Sequence, residues 1–250
     1  GTRDLLVARN EIKTPQNLVN VMKDIMYNPN NNKREAYIRT INFYLDVDRE
    51  KVIANGTVHP SDTGKIVDRL VWHMPNETIY QANGQDTLMI VSKAYIAMMD
   101  ILAHNNWERP IYYVATTGSD SFFGLDKYFQ MEGLAYRLVP VAEKNPNTLG
   151  GLYGRVNPDV LYKHVKKFDS EYAKTDVYFS EDYTRTTINL KLFMLRLADA
   201  FVAEERGKEA KEVLDLCYRW FPQNTIPYEN MELYIGELYF KCGSEEADKA

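Results

Sequence analysis

Residues 86–114 read DTLMIVSKAYIAMMDILAHNNWERPIYYV, and the change of period inside them sets the fold class. Leu88, Val91, Tyr95, Met98, Met99 and Leu102 recur at the spacing of one helix face, which predicts a helix from Asp86 to near Asn105 and Asn106. Pro110 then opens Ile111-Tyr112-Tyr113-Val114, a β-branched and aromatic run in which proline is tolerated because it stands at the start. A helix that delivers directly into a strand points to an α+β arrangement, a mixed sheet with packed helices.

The flanking sequence extends this pattern. Thr14-Pro15 reads as a helix start, the hydroxyl capping free amides and proline fitting the first turn before Leu18, Val19, Met22 and Ile25. Asn28-Pro29-Asn30 breaks that helix. Tyr37, Ile41, Phe43, Leu45 and Val47 alternate with more polar residues as a half-buried strand does, and Ile66, Leu70, Trp72 and Met74 suggest another. Asn55-Gly56 and Asn83-Gly84 mark turns, and Leu134 to Val141 reads as a further strand. Residues 143–156 are the richest in turn formers, which predicts a boundary between an α+β domain at 1–150 and a helical domain at 151–250.

Within the helical part, Asn157-Pro158 repeats the cap-then-proline start. Counting back from Pro222 on a repeat of about 34 residues places Leu197-Ala198, Phe201, Ala210 and Leu214 at tetratricopeptide positions. Small residues at Ala198 and Ala210 let two helices approach, Phe201 and Leu214 fill the space between them, and Gly207 is expected to end the first helix. Ile235-Gly236 and Tyr239 begin a second such unit. The prediction is an all-α, tetratricopeptide-like hairpin region.

Composition narrows the function classes. A net charge of −5, from 30 basic and 35 acidic residues without long runs of either sign, lacks the footprint of a nucleic-acid binder. With 45% hydrophobic residues the chain can bury a substantial core, yet no run approaches the roughly 20 apolar residues that span a bilayer. The sequence contains no G-x-G-x-x-G, P-loop, H-E-x-x-H, G-x-S-x-G or C-x-x-C, so catalysis by those routes is not expected and no cofactor is implied. Asp46-Val47-Asp48 is a D-x-D triplet whose two carboxylates, on one face of a strand, would be the weak candidates for a shared divalent ion. Asp100 and His104 lie four apart on a predicted helix and would form a surface pair. The segment from Trp107 to Arg137 combines turn glycines, dense aromatics and charged groups, a mixture suited to a sugar or a partner loop. Trp107, Arg109, Tyr112, Tyr128, Glu132 and Arg137 are its candidate ligand or partner residues.

Three stretches carry a family likeness: Asn106-Trp107-Glu108-Arg109-Pro110-Ile111-Tyr112-Tyr113, Gly124-Leu125-Asp126-Lys127-Tyr128-Phe129, and Glu132 through Pro140, reading EGLAYRLVP. With Leu45 to Asp48, Asn55-Gly56, Val156-Asn157 and the Pro222 repeat, they extend the likeness over most of residues 37–250. The chain resembles the long C-terminal region of a bacterial family of multi-spanning membrane proteins. The N-terminal half of that family resembles protein O-mannosyltransferases and is grouped as glycosyltransferase family 117. The resemblance implies an accessory domain on the extracytoplasmic, periplasmic face, with the family's own membrane-embedded half as one partner and a protein or glycan ligand as another. Sugar transfer, if the family performs it, would belong to the membrane half, and no catalytic residue is carried over to this chain. The competing expectations are an independent carbohydrate-active enzyme using Asp46 and Asp48, and a purely structural tetratricopeptide-type adaptor.

Overall fold

The computed structural model describes residues 5–8, 11–27, 37–74, 79–82, 86–142, 152–167, 178–228 and 231–247. The expected turns at Asn28-Pro29 and Asn83-Gly84, and most of the expected boundary at 143–156, lie outside these residues. The chain forms two compact units. The first comprises Gly1–Ile111, Thr117–Tyr128 and Leu138–Lys144, the second Tyr112–Thr116, Phe129–Arg137 and Asn145–Ala250.

The first unit is α+β. Its elements are β1 (Leu5–Ala8), β2 (Gln16–Asn17), α1 (Leu18–Met22), β3 (Tyr37–Ile38), β4 (Asn42–Asp46), α2 (Arg49–Ala54), β5 (Arg69–His73), β6 (Ile79–Ala82), β7 (Asp86–Ser92) and α3 (Lys93–Asn105). One mixed sheet has the order β3-β1-β7-β6 and a second the order β2-β4-β5. The pairs β1/β3 and β2/β4 run parallel, whereas β4/β5, β1/β7 and β6/β7 run antiparallel.

Three elements differ from the sequence expectation. The helix expected from Asp86 starts at Lys93: residues 86–92 are a strand, and the Ser92 hydroxyl caps α3 by accepting the Tyr95 amide at 3.2 Å. Short apolar runs do not separate strand from buried helix by period alone. Thr14-Pro15 does not start a helix. Asn17 caps α1 instead, its Oδ1 accepting the amides of Val19 at 3.0 Å and Asn20 at 3.3 Å. The single strand expected from Tyr37 through Val47 is two strands in different sheets, β3 and β4, and β4 ends at Asp46 because Asp48 turns the chain into α2 by accepting the Lys51 amide at 3.0 Å.

Leu18, Met22, Phe43, Leu70 and Trp72 are buried, with the Phe43 and Trp72 rings 5.8 Å apart. The outer edge of β5 is closed by Tyr128, whose hydroxyl accepts the Val71 amide at 2.7 Å and donates to the Val71 carbonyl at 3.1 Å. The same layer admits only glycine at position 124. Its φ is +74°, and a Cβ there would stand 2.4 Å from the His73 carbonyl oxygen.

In the second unit, β8 (Tyr112–Val114), β9 (Phe129–Met131) and β10 (Ala135–Leu138) form an antiparallel sheet in the order β8-β10-β9. Alternation sends Tyr113, Phe129 and Tyr136 to the buried face, where their ring centroids lie 4.6 Å and 5.5 Å apart. Helices α4 (Pro158–Val165), α5 (Glu181–Ala203), α6 (Gly207–Trp220) and α7 (Glu232–Ala247) complete the unit. Asn157 caps α4 as expected, accepting the Val160 amide at 3.1 Å.

Three residues separate α5 from α6, and Ala198, Phe201, Ala210, Val213 and Leu214 are all fully buried in this helix pair. Gly207 does not end the first helix. That helix stops at Ala203, Glu205 takes the left-handed turn at φ 59°, and Gly207 begins α6. A buried lysine ties α5 to the chain before α7. Lys191 Nζ donates to the carbonyls of Ile226 at 2.7 Å and Pro227 at 2.8 Å, and lies 3.8 Å from the Tyr228 ring centroid. Buried Arg196 donates to the Tyr153 carbonyl at 2.9 Å and to that of Gly154.

Candidate functional site

In the first unit, a turn with unusual backbone geometry carries Trp107. Asn106 ends α3 at φ 43° and ψ 37°, and Trp107 follows at φ 59°. Two successive non-glycine residues in the left-handed region are costly, on the order of 1–2 kcal/mol each, so surrounding contacts have to hold the turn. Asn55 does so from the end of α2. Its Nδ2 donates to the Trp107 carbonyl at 2.7 Å, while its Oδ1 accepts Thr57 N at 3.0 Å and Thr57 Oγ1 at 2.7 Å. Lys51 adds an ion pair to Glu108 at 3.3 Å. One side of the indole packs on the buried cluster Val52, Val58, Ile66, Val139 and Val141.

Trp107 also lines a cleft of about 300 Å³. Val19, Leu45, Leu102, Ile111 and Leu138 supply its apolar wall, and Asn17, Asp46, Asn105 and Asn106 its polar groups. Asp46 is held at the end of β4, where Oδ1 accepts Arg69 Nε at 2.8 Å and Oδ2 accepts Asn17 Nδ2 at 3.0 Å. Each carboxylate oxygen keeps further acceptor capacity toward the cleft. Among the described residues, neither the indole N–H of Trp107 nor the side-chain amide of Asn106 has a hydrogen-bond partner. The site therefore offers an aromatic edge, a carboxylate, an amide and an aliphatic wall, which match the hydroxyls and the apolar C–H face of a sugar ring.

The D-x-D pair does not act as a pair. Asp46 faces Arg69 and Asn17, while Asp48 is off the strand and occupied in capping α2. Among the described residues, no group of three or more His, Cys, Asp or Glu side chains is placed to hold a metal ion.

The six candidate residues divide between the units. Trp107, Arg109 and Tyr128 belong to the first, and Tyr112, Glu132 and Arg137 to the second. Arg109 is exposed, its main chain bracketed by Asn105, which donates to its carbonyl at 2.8 Å. Tyr128 is buried with its hydroxyl engaged on β5. Burial pushes its pKa up against the opposing, smaller effect of the Val71 bond, which lowers it, so the phenol stays protonated at neutral pH.

In the second unit, Tyr112 and Arg137 converge on Glu132, whose side chain is only 3% exposed. Its carboxylate accepts Tyr112 Oη–H at 2.8 Å and Gln130 Nε2–H at 3.0 Å, with Arg137 Nη1 at 3.7 Å and His164 Nε2 at 3.8 Å. Burial first, and then this bond to Glu132, raises the Tyr112 pKa, so the phenol is a donor at neutral pH. Gln130 in turn accepts from Arg155 Nη1 at 2.9 Å. Asp100 and His104 are adjacent on α3 as expected, Oδ1 lying 3.1 Å from Nδ1, but the hydrogen bond of Nδ1 is to the Asp100 main-chain carbonyl at 3.0 Å.

Sequence reasoning missed Asn17, Asn55, Asn106, Gln130 and His164. Their only sequence signal was turn chemistry at Asn55-Gly56 and the Asn105-Asn106 helix end; the others sit beside Asp46 or Glu132 through pairing that local sequence does not encode.

The geometry describes a domain with an open, mostly apolar cleft, and among the described residues no helix is long and apolar enough to cross a membrane. Residues 6–160 match the family model described as TMEM260-associated domain 2, and the chain belongs to that family, a family of membrane-protein-associated domains. No curated protein and no solved structure matches the chain.

Proposed function

We propose that this chain is a non-catalytic accessory and interaction domain of a membrane-bound, glycosyltransferase-like protein, standing on the extracytoplasmic face and binding a glycan or glycosylated acceptor in the Trp107 cleft. The observation that carries the reading is the convergence of Trp107, Asp46, Asn17 and Asn106 on one cleft of about 300 Å³, room for a single pyranose ring. Family membership supports the membrane-protein context. The Trp107, Gly124 and Glu132 motifs resemble the C-terminal region of a family whose separate membrane half resembles O-mannosyltransferases, and that context supports the sugar chemistry. The pairing of α5 with α6, sealed by Ala198 and Ala210, supports a tetratricopeptide-like role for the helical region in holding a partner or the membrane-embedded half.

The test is a titration of the ¹⁵N-labelled chain with methyl α-hexopyranosides, followed at the three tryptophan indole resonances. The Trp107 indole N–H should shift in a saturable manner while those of Trp72 and Trp220 stay put, and Asp46→Asn should weaken the response. Saturable shifts confined to Trp72 or Trp220, or none at Trp107 up to high millimolar sugar, would refute the reading. A response to apolar peptides in place of sugars would make the cleft a side-chain pocket.

A further inference from the structure

The sheet of the second unit has two edges, and they are treated differently. The β9 edge is closed by the segment at Arg155, whose amide donates to Phe129 O at 2.8 Å and whose carbonyl accepts from Met131 N at 2.9 Å. Gly154, at φ +79°, allows that approach, since a Cβ there would meet the Phe129 carbonyl oxygen at 2.8 Å. Among the described residues, the β8 edge carries no such cover.

The register shows which groups it leaves open. Tyr112 stands opposite Arg137, Tyr113 opposite Tyr136 and Val114 opposite Ala135. Leu138 N donates to Ile111 O and Ala115 N to Leu134 O, both at 2.9 Å, so the hydrogen-bonded positions of β8 are 111, 113 and 115. The amides and carbonyls of Tyr112 and Val114 therefore point away from β10. Among the described residues these four groups have no hydrogen-bond partner. Both side chains lie on the outer face, 47% and 55% exposed, and the Tyr112 ring is steadied by its hydrogen bond to Glu132. Nothing on the strand itself carries a charge to repel an added strand.

We infer that β8 is a docking edge for an extended segment of a partner polypeptide, taken up by strand addition. Alternating N–H and C=O groups two residues apart match the repeat of another extended backbone. Tyr112 and Val114 select for apolar or β-branched side chains at alternate positions of that segment. With three residues in the strand, the edge is too short for a stable pairing between two copies of this chain and suits reversible capture of a peptide. This site is independent of the Trp107 cleft.

The probe is a labelled synthetic peptide of alternating valine and threonine, with binding read by fluorescence anisotropy and site by amide hydrogen exchange. In the chain alone, the amides of Tyr112 and Val114 should exchange fast and that of Ala115 slowly; adding the peptide should slow Tyr112 and Val114 selectively. Val114→Pro removes one outward donor without touching the inner ladder and should weaken binding about tenfold or more. Val114→Lys places a charge on the edge, keeps the backbone amide and should weaken binding as well, so a folding defect in the proline variant would not decide the matter. Protection of Tyr112 and Val114 in the chain alone, peptide binding that both variants retain, or a concentration-dependent dimer that blocks the peptide would each overturn the inference.

Discussion

Asn55 provides the sharpest check on how the Trp107 turn is built. Its side chain makes three hydrogen bonds, two to Thr57 and one to the Trp107 carbonyl. Because Asn55 is exposed, each stands at the low end of the usual range, about 0.5 kcal/mol, and Asn55→Ala should cost about 1.5 kcal/mol. Asn55→Asp separates the contributions. A carboxylate still accepts from Thr57 N and Oγ1 but sets an oxygen against the Trp107 carbonyl, so it should cost about 0.5–1 kcal/mol while releasing the turn. Urea denaturation gives the two stabilities, and the Trp107 indole resonance reports the turn directly. Both substitutions should move that resonance, and both should reduce whatever ligand response the cleft shows. If Asn55→Asp left the resonance and the stability unchanged, Asn55 would not be the clamp, and the left-handed turn would have to rest on the packing of the indole alone.

Particular contacts elsewhere set further expectations. Gly124→Ala should cost well above the roughly 1–2 kcal/mol of a left-handed alanine, because its Cβ meets the His73 carbonyl oxygen at 2.4 Å; Gly56→Ala, at φ +70° with open space, should cost only that, and equal values by urea denaturation would contradict the crowding argument. Ala198→Leu should overpack the α5/α6 pair and lower stability by about 1–3 kcal/mol, where tolerance of the leucine would show that the helices are not closely packed there. Burial pushes the Cys217 thiol up to about 11 from an ordinary 9.0. The unfolded chain therefore loses that proton first, its contribution is fully present below pH 9 and falls as pH rises toward 11, and Cys217→Ala should flatten the decline measured by thermal melts between those values.

How much of this was legible in the sequence depended on whether the signal was local. The α+β character, the strand at Ile111 to Val114, the Asn157-Pro158 helix start and the burial of Ala198, Phe201, Ala210 and Leu214 follow from period and turn chemistry, which act over a few residues. The start of α3 did not. Leu88 and Val91 satisfy a helical spacing, yet β1 and β6 claim residues 86–92 as a strand, and no local pattern announces pairing with residues some 80 positions away. Asp48 was misplaced for a related reason, since a capping aspartate and a metal-binding aspartate look alike until the Lys51 amide is seen beneath it. Aromatic density drew attention to residues 107–137, but it could not say that Tyr128 engages its hydroxyl on β5 or that Asp46, a weak candidate for a metal, lines the same cleft as Trp107.

The central claim, that this chain recognises sugar through the Trp107 cleft without transferring it, is tested most directly by one paired measurement on a panel of glycans and activated sugars. Binding and turnover are recorded on the same samples, for the unaltered chain and for Asp46→Asn. Saturable binding that weakens in Asp46→Asn is expected, with no product released from nucleotide-sugar, lipid-linked or glycoside substrates. Turnover that disappears in Asp46→Asn and requires added divalent cation would contradict it and make the chain an enzyme in its own right.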